Sequence, residues 1–106
     1  MASAKYSVIF ADRASQMMVS HSGFLARVNP AAARRLLSEF RSATDRIAAQ
    51  PLAYPYADDI DACGIPPATY RKCLIAGRYK ALFTVENQTV YIDAVIDCRQ
   101  ENSALY

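Results

Sequence analysis

Arg71, Lys72, Arg78 and Lys80 crowd into one short stretch, and no acid lies between Asp61 and Glu86. Cations in such a run can meet a phosphate or a carboxylate, either to bind a partner or to offset charge that builds during a reaction. The other reactive side chains are scattered. His21 is the only histidine, and one imidazole without a placed partner makes no acid–base constellation. It falls between Met17 and Leu25 on an apolar stripe and reads as a core-edge residue. Cys63, Cys73 and Cys98 are odd in number with no close pair, which argues against a disulfide framework and against zinc. Cys73 and Cys98 fall at inward strand positions, where a free thiol is a small apolar filler, and Cys63 falls in a loop. No metal and no cofactor is expected.

Three strands must position the cations. Tyr70 to Ile75, Tyr79 to Val85 and Val90 to Cys98 are separated by Ala76-Gly77-Arg78 and Glu86-Asn87-Gln88-Thr89, loops short enough for antiparallel neighbours. Alternation in the last strand sends Val90, Ile92, Ala94, Ile96 and Cys98 inward. Tyr91, Asp93, Val95, Asp97 and Arg99 then point outward, onto a watered face. On the same parity Lys72, Lys80 and Thr84 face outward.

Upstream, Tyr6 to Phe10 reads as a short strand of aromatic and β-branched residues. Asp12 offers an acceptor for helix entry, and Met17, Met18, His21, Phe24, Leu25 and Val28 step by three and four into one apolar stripe. Asn29-Pro30 marks a boundary, Asn as the next cap and Pro in the first turn. Ala33, Leu36, Leu37, Phe40, Ala43, Thr44 and Ile47 form a second stripe, with Arg34, Arg35, Arg41 and Arg46 on the solvated arc. Gln50-Pro51 stops that helix. Folded back as a hairpin, the helices cover Tyr79, Ala81, Phe83, Val85, Val90, Ile92, Ala94 and Ile96. The expectation is an α+β two-layer sandwich: N-terminal strand, two-helix hairpin, then a three-stranded antiparallel sheet packed on the helices. Tyr54 and Tyr56 would pin the long connection from Pro51 to Thr69.

The 106 residues suit one domain spanning 1–106, since single cores serve about 100–200 residues. With 53% hydrophobic and 21% charged residues the chain is an ordinary globular one. No apolar run approaches the ~18 residues that span a bilayer, so no membrane role is expected. Met1 to Lys5 does not pattern as a signal peptide, leaving the cytoplasm as the expected location. A net charge of +2 excludes sequence-independent phosphate binding by the whole surface, so a nucleic-acid role would rest on a local patch.

The motif set has a specific order. Asn29-Pro30-Ala31-Ala32-Ala33-Arg34 opens the second helix, and Gln50-Pro51 with Tyr54-Pro55 follows its exit. Tyr70-Arg71-Lys72, Gly77-Arg78-Tyr79-Lys80 and Val90-Tyr91-Ile92-Asp93 come next, running into Asp97-Cys98-Arg99-Gln100. From about Lys5 to Arg99 this order resembles the RelE/ParE superfamily of bacterial type II toxins. The resemblance implies a growth-inhibiting toxin neutralised by a cognate antitoxin. It leaves the target open, because RelE-like members cut messenger RNA in the ribosome whereas ParE-like members poison DNA gyrase.

Metal-free RNA cleavage needs a base for the 2′-hydroxyl, an acid for the leaving oxygen and cations against the phosphate. By resemblance to the RelE branch, Lys80 and Arg99, with Arg78 as a further cation, would stabilise the phosphate and Tyr106 would stand near the family's terminal tyrosine. Yet Asp93 and Asp97 share the predicted face with Lys80 and Arg99, and cross-strand charge pairing explains all four. That balance favours a ParE-like, non-nuclease mode in which Arg71, Lys72, Arg78 and Tyr91 contact a target or partner. An inactive relative that only binds the antitoxin is the remaining reading. An antitoxin segment can lie across the helix hairpin or add a strand at a sheet edge.

Overall fold

The structure, a computed structural model, describes residues 5–57 and 69–97. Strand β1 (Ser7–Phe10) leads into α1 (Asp12–Val28) and α2 (Pro30–Ala49), then a short 3-10 turn (Pro51–Ala53). Strands β2 (Arg71–Ile75), β3 (Tyr79–Glu86) and β4 (Thr89–Asp97) follow. Asn29 breaks the helix pair and caps the second helix, its Oδ1 accepting the Ala32 N–H at 3.1 Å, with Pro30 in the first turn. The expected Asp12 cap is not used. Ala11 takes the cap position without a side-chain bond, and Asp12 lies in the first turn, where a carboxylate suits the positive end of the helix.

The sheet has four strands in the order β1-β4-β3-β2. β1 runs parallel to β4, Val8 beside Val90 and Phe10 beside Ile92, while β2–β3 and β3–β4 are antiparallel. Tight connections set these pairings. Gly77 (φ 69°) lies in the β2–β3 turn and Asn87 (φ 55°) in the two-residue β3–β4 turn, both residue types that enter the left-handed region readily. Ala76 also sits there at φ 55°, a strained position for a residue with a Cβ.

The helices cover one face, as expected. Leu36, Phe40, Ala43 and Ile47 of α2 and Ala14 of α1 bury against Cys73, Ile75, Tyr79, Ala81, Phe83, Val90 and Ile92. Phe83 is fully buried, and the Phe40 and Tyr79 rings lie 5.6 Å apart. Tyr54, leaving the 3-10 turn, meets Phe83 edge-on at 5.8 Å and so ties the α2 exit to the sheet.

Two expectations about faces are corrected. Leu82 pairs with Ala94 but Phe83 pairs with Ile92, so Asp93 is an extra residue in β4. Such a bulge reverses the alternation beyond it. Val95 and Asp97 therefore turn to the helix side, where both are buried, and Ala94 and Ile96 turn outward. The outer face is also not simply watered, because Ala57 and Leu82 bury there with Tyr70, Ala94 and Ile96 around them. In the helices, Phe24, Val28 and Leu37 stay largely exposed rather than joining the core. The last turns of α1 and the flank of α2 carry more apolar residues than the sheet covers.

Candidate functional site

The predicted cations do not form one patch. Lys72 and Lys80 take outer-face positions, beside Leu82 and Leu74 respectively. Lys80 is only 4% exposed, a cation folded into the layer and not presented on it. Tyr91 lies at the other end of that face, between Thr84 and Ile9, and is 37% exposed. Arg99 and Tyr106 lie outside the described residues.

Arg78, in the β2–β3 turn, goes to the opposite side. Its Nε lies 3.2 Å from each oxygen of Asp97 and its Nη2 2.8 Å from Oδ2. The Asp97 side chain has no exposed surface, whereas the guanidinium is 43% exposed. Hydrogen bonding to that carboxylate raises the guanidinium pKa above its ordinary value. The expected pairing of Asp97 with Lys80 gives way because the Asp93 bulge moves Asp97 to the other face, beside Tyr79.

Asp93 is held at its bulge from two directions. Tyr70 donates its hydroxyl to Oδ2, and Arg13 of α1 donates Nη2 to the same oxygen at 2.5 Å. The Arg13 Nε also donates to the Asp93 carbonyl at 2.9 Å. The Tyr70 bond, then the Arg13 contact, holds the carboxyl below the usual range, and the bond to Asp93 pushes the Tyr70 phenol up. Bulges leave backbone groups off the ladder, and here Arg13 takes up the bulged carbonyl. The acid is thus a joint between α1, β4 and the residue that leads into β2, and not part of a reacting pair.

Arg71 lies at the start of β2 and reaches the α2 exit. Its Nη1 donates to the Tyr54 carbonyl at 2.6 Å and the Leu52 carbonyl at 3.4 Å, and its Nη2 to the Tyr56 hydroxyl at 3.2 Å. His21 stacks at a tilt on Tyr79, ring centres 5.1 Å apart, at the half-buried core edge expected of it. Cys73 is buried, and burial pushes its thiol pKa up. Among the described residues no cluster of His, Cys, Asp and Glu could hold a metal.

The helix hairpin was expected as a docking surface, but sequence reasoning did not find the residues that line it. Two adjoining apolar cavities of about 420 and 460 Å³ run along the outside of the helix hairpin and share Val19 and Leu37. Phe10, Met18 and Phe40 line the first, and Ser22, Ala26 and Ala33 the second. Arg41 and Asp45 also line the first and Arg34 the second. Among the described residues the buried Ser22 Oγ has no hydrogen-bond partner, and a Cβ on Gly23 would meet nothing within 4 Å. The available signal was the width of the α2 stripe, in which Leu36 and Leu37 cannot both face one sheet.

Among the described residues no helix is long and apolar enough to cross a membrane. A search of curated proteins finds no match. The family model for the ParE toxin of the type II toxin-antitoxin system, parDE, matches residues 8–102. That span includes β1, the helix hairpin, the bulged sheet and every described charge pair above, so this chain belongs to the ParE toxin family of type II toxin–antitoxin systems, within the RelE/ParE superfamily.

Proposed function

We propose that this chain arrests bacterial growth by binding a macromolecular target in the cytoplasm, with DNA gyrase the ParE-like candidate, and not by cutting RNA. The observation that carries this reading is Lys80, which is 4% exposed. A cation that stabilises a phosphate in flight must touch it, and this one is buried in the sheet, across from Leu74 and Ile96. Arg78, the further cation of the nuclease reading, is already committed to Asp97. Both facts favour recognition over cleavage.

The helix hairpin supports neutralisation by an antitoxin. Its outer groove, with Val19 70% and Leu37 46% exposed, offers the apolar lining that an amphipathic antitoxin helix requires. Arginines in its lining favour an acidic flank on that helix. The test is induction of the chain alone and together with the product of an adjacent reading frame. The reading expects growth arrest with altered DNA topology in the first case and rescue in the second. Arrest with normal topology and new transcript ends points to the ribosome-dependent endoribonuclease; unimpaired growth with co-purification of the partner points to an inactive, antitoxin-binding relative.

A further inference from the structure

At the sheet edge remote from β1, the strands end out of step. β2 pairs with β3 from Ile75–Tyr79 to Arg71–Phe83, and Thr84, Val85 and Glu86 continue past it. The chain leaving α2 lies along the outer side of β2: Lys72 N–H donates to the Pro55 carbonyl at 2.9 Å and Ala57 N–H to the Tyr70 carbonyl at 2.8 Å. Between them lies a polar notch of about 350 Å³, lined by Leu52, Tyr56, Thr69, Arg71, Thr84 and Val85 among others.

The backbone in the notch is partly unpaired by geometry. Glu86 and Thr89 close the two-residue β3–β4 turn. A closing pair of this kind exchanges its hydrogen bonds, as does every second pair below it. Thr84 therefore bonds toward β4, and the N–H and C=O of Val85 face the edge that β2 leaves open.

The cation in the notch is fixed, and among the described residues no carboxylate pairs with it. Arg71 stacks 4.3 Å over the Tyr56 ring, and its acceptors are the Leu52 and Tyr54 carbonyls and the Tyr56 hydroxyl. All three are neutral, in contrast to the carboxylate partners of Arg13 and Arg78. A guanidinium has five N–H groups, so among the described residues the Nε–H and one Nη2–H remain uncommitted. Exposed Tyr56 and Leu52 flank it, and a tyrosine, an arginine and an apolar side chain around one cleft is the composition of an interface anchor.

We propose that this notch binds an extended acidic segment of a partner protein, one side-chain carboxylate taking Arg71 and one peptide group pairing with Val85. The site is defined by geometry alone, and only its role in poisoning rests on the target reading above. It lies on the far edge of the sheet from β1, so a helix seated in the hairpin groove leaves it open.

The test is a titration of the full-length, isotope-labelled chain with the probe acetyl-Val-Glu-Val-Glu-amide, followed by amide shifts. Saturable shifts at Arg71, Thr84 and Val85 are expected, with at least about tenfold weaker binding for the Gln-for-Glu peptide, as loss of a charge-assisted contact implies. Arg71 substitutions can disturb the α2 exit, so Thr84→Glu is the companion variant. It places a like charge in the notch and is expected to weaken binding about tenfold or more with an unchanged circular dichroism spectrum. No saturable shifts, equal binding of both peptides, or unaffected binding by Thr84→Glu overturns the proposal. Shifts at the same amides with a thymidine hexanucleotide but not with the peptide also overturn it, assigning the notch to nucleic acid. If the peptide fails while induction still arrests growth, the notch is wrong and the toxin reading stands.

Discussion

Arg78 reaches from the β2–β3 turn to both carboxylate oxygens of Asp97, with Nη2 2.8 Å from Oδ2 and no exposed surface on the acid. The pair closes the end of the sheet where β4 meets the first residue of β3, and it draws one cation of the basic stretch, with the acid that pairs with it, away from the outer face. Removing the cation leaves a buried carboxylate short of its guanidinium partner. Arg78→Ala is expected to cost about 2–3 kcal/mol, toward the low end for buried pairs because the guanidinium is 43% exposed. Urea denaturation of the two proteins checks this; a change under about 0.5 kcal/mol contradicts it.

Asp93 contributes to the acid sensitivity of the fold. Its pKa is held down by the Tyr70 hydroxyl and then by Arg13, so it binds a proton less readily when folded than when unfolded. That contribution is present above the unfolded carboxylate value and is lost as pH falls through the lower, folded one. Tyr70 has the opposite sign. Its raised pKa adds stability below the unfolded phenol value that is lost as pH rises through the folded one. Asp93→Asn is expected to lower stability at neutral pH and to flatten its decline in acid. Parallel acid limbs for the two proteins would contradict this.

Ala76 is a strained residue in a turn that suits glycine. At φ 55° its Cβ is disfavoured, and Ala76→Gly relieves that strain at the expense of a more flexible unfolded chain. A net gain of about 0.5 kcal/mol is expected from thermal or chemical denaturation, opposite in sign to glycine in a helix or strand.

Cys73 is a core residue with a chemical readout. It is 3% exposed and its thiol is disfavoured from ionising by burial. Thiol reagents at neutral pH are expected to reach it only through unfolding, so Ile47→Val, which loosens the same cluster, should speed its labelling. Labelling at the rate of a free thiol in the native protein would contradict the placement.

The hairpin groove yields a prediction about neutralisation. Val19 and Leu37 are exposed, so Val19→Arg and Leu37→Glu should fold normally and still arrest growth. Co-expression of the antitoxin should no longer rescue cells carrying the double variant. Full rescue would move the antitoxin interface off this groove.

Much of this fold is legible in local pattern. Helix and strand periods of 3.6 and 2 residues place Phe40, Phe83 and Ile92 in one core, and Asn29-Pro30 places the helix break. The bulge is not legible that way, because one added residue alters register without altering composition. Ala94-Val95-Ile96 was the trace it left, three apolar residues in a row where alternation demands a polar one. Reading through it put Asp97 on the face of Lys80, and the balance of charge on the outer face was misjudged with it. Burial of Lys80 and exposure of Phe24 depend on where the sheet and the α2 exit end, which no window along the chain contains. Arg71 was legible as a binding residue by type, but its neutral partners come from residues 15–19 positions away.

The account rests on a toxin that recognises its target without cutting RNA, and transcript-end mapping after induction tests that most directly. Cells expressing the chain alone should stop growing with no new 5′ ends in translated messages, and should do so equally with Lys80→Met. New ends within codons that appear on induction and vanish with Lys80→Met would contradict it.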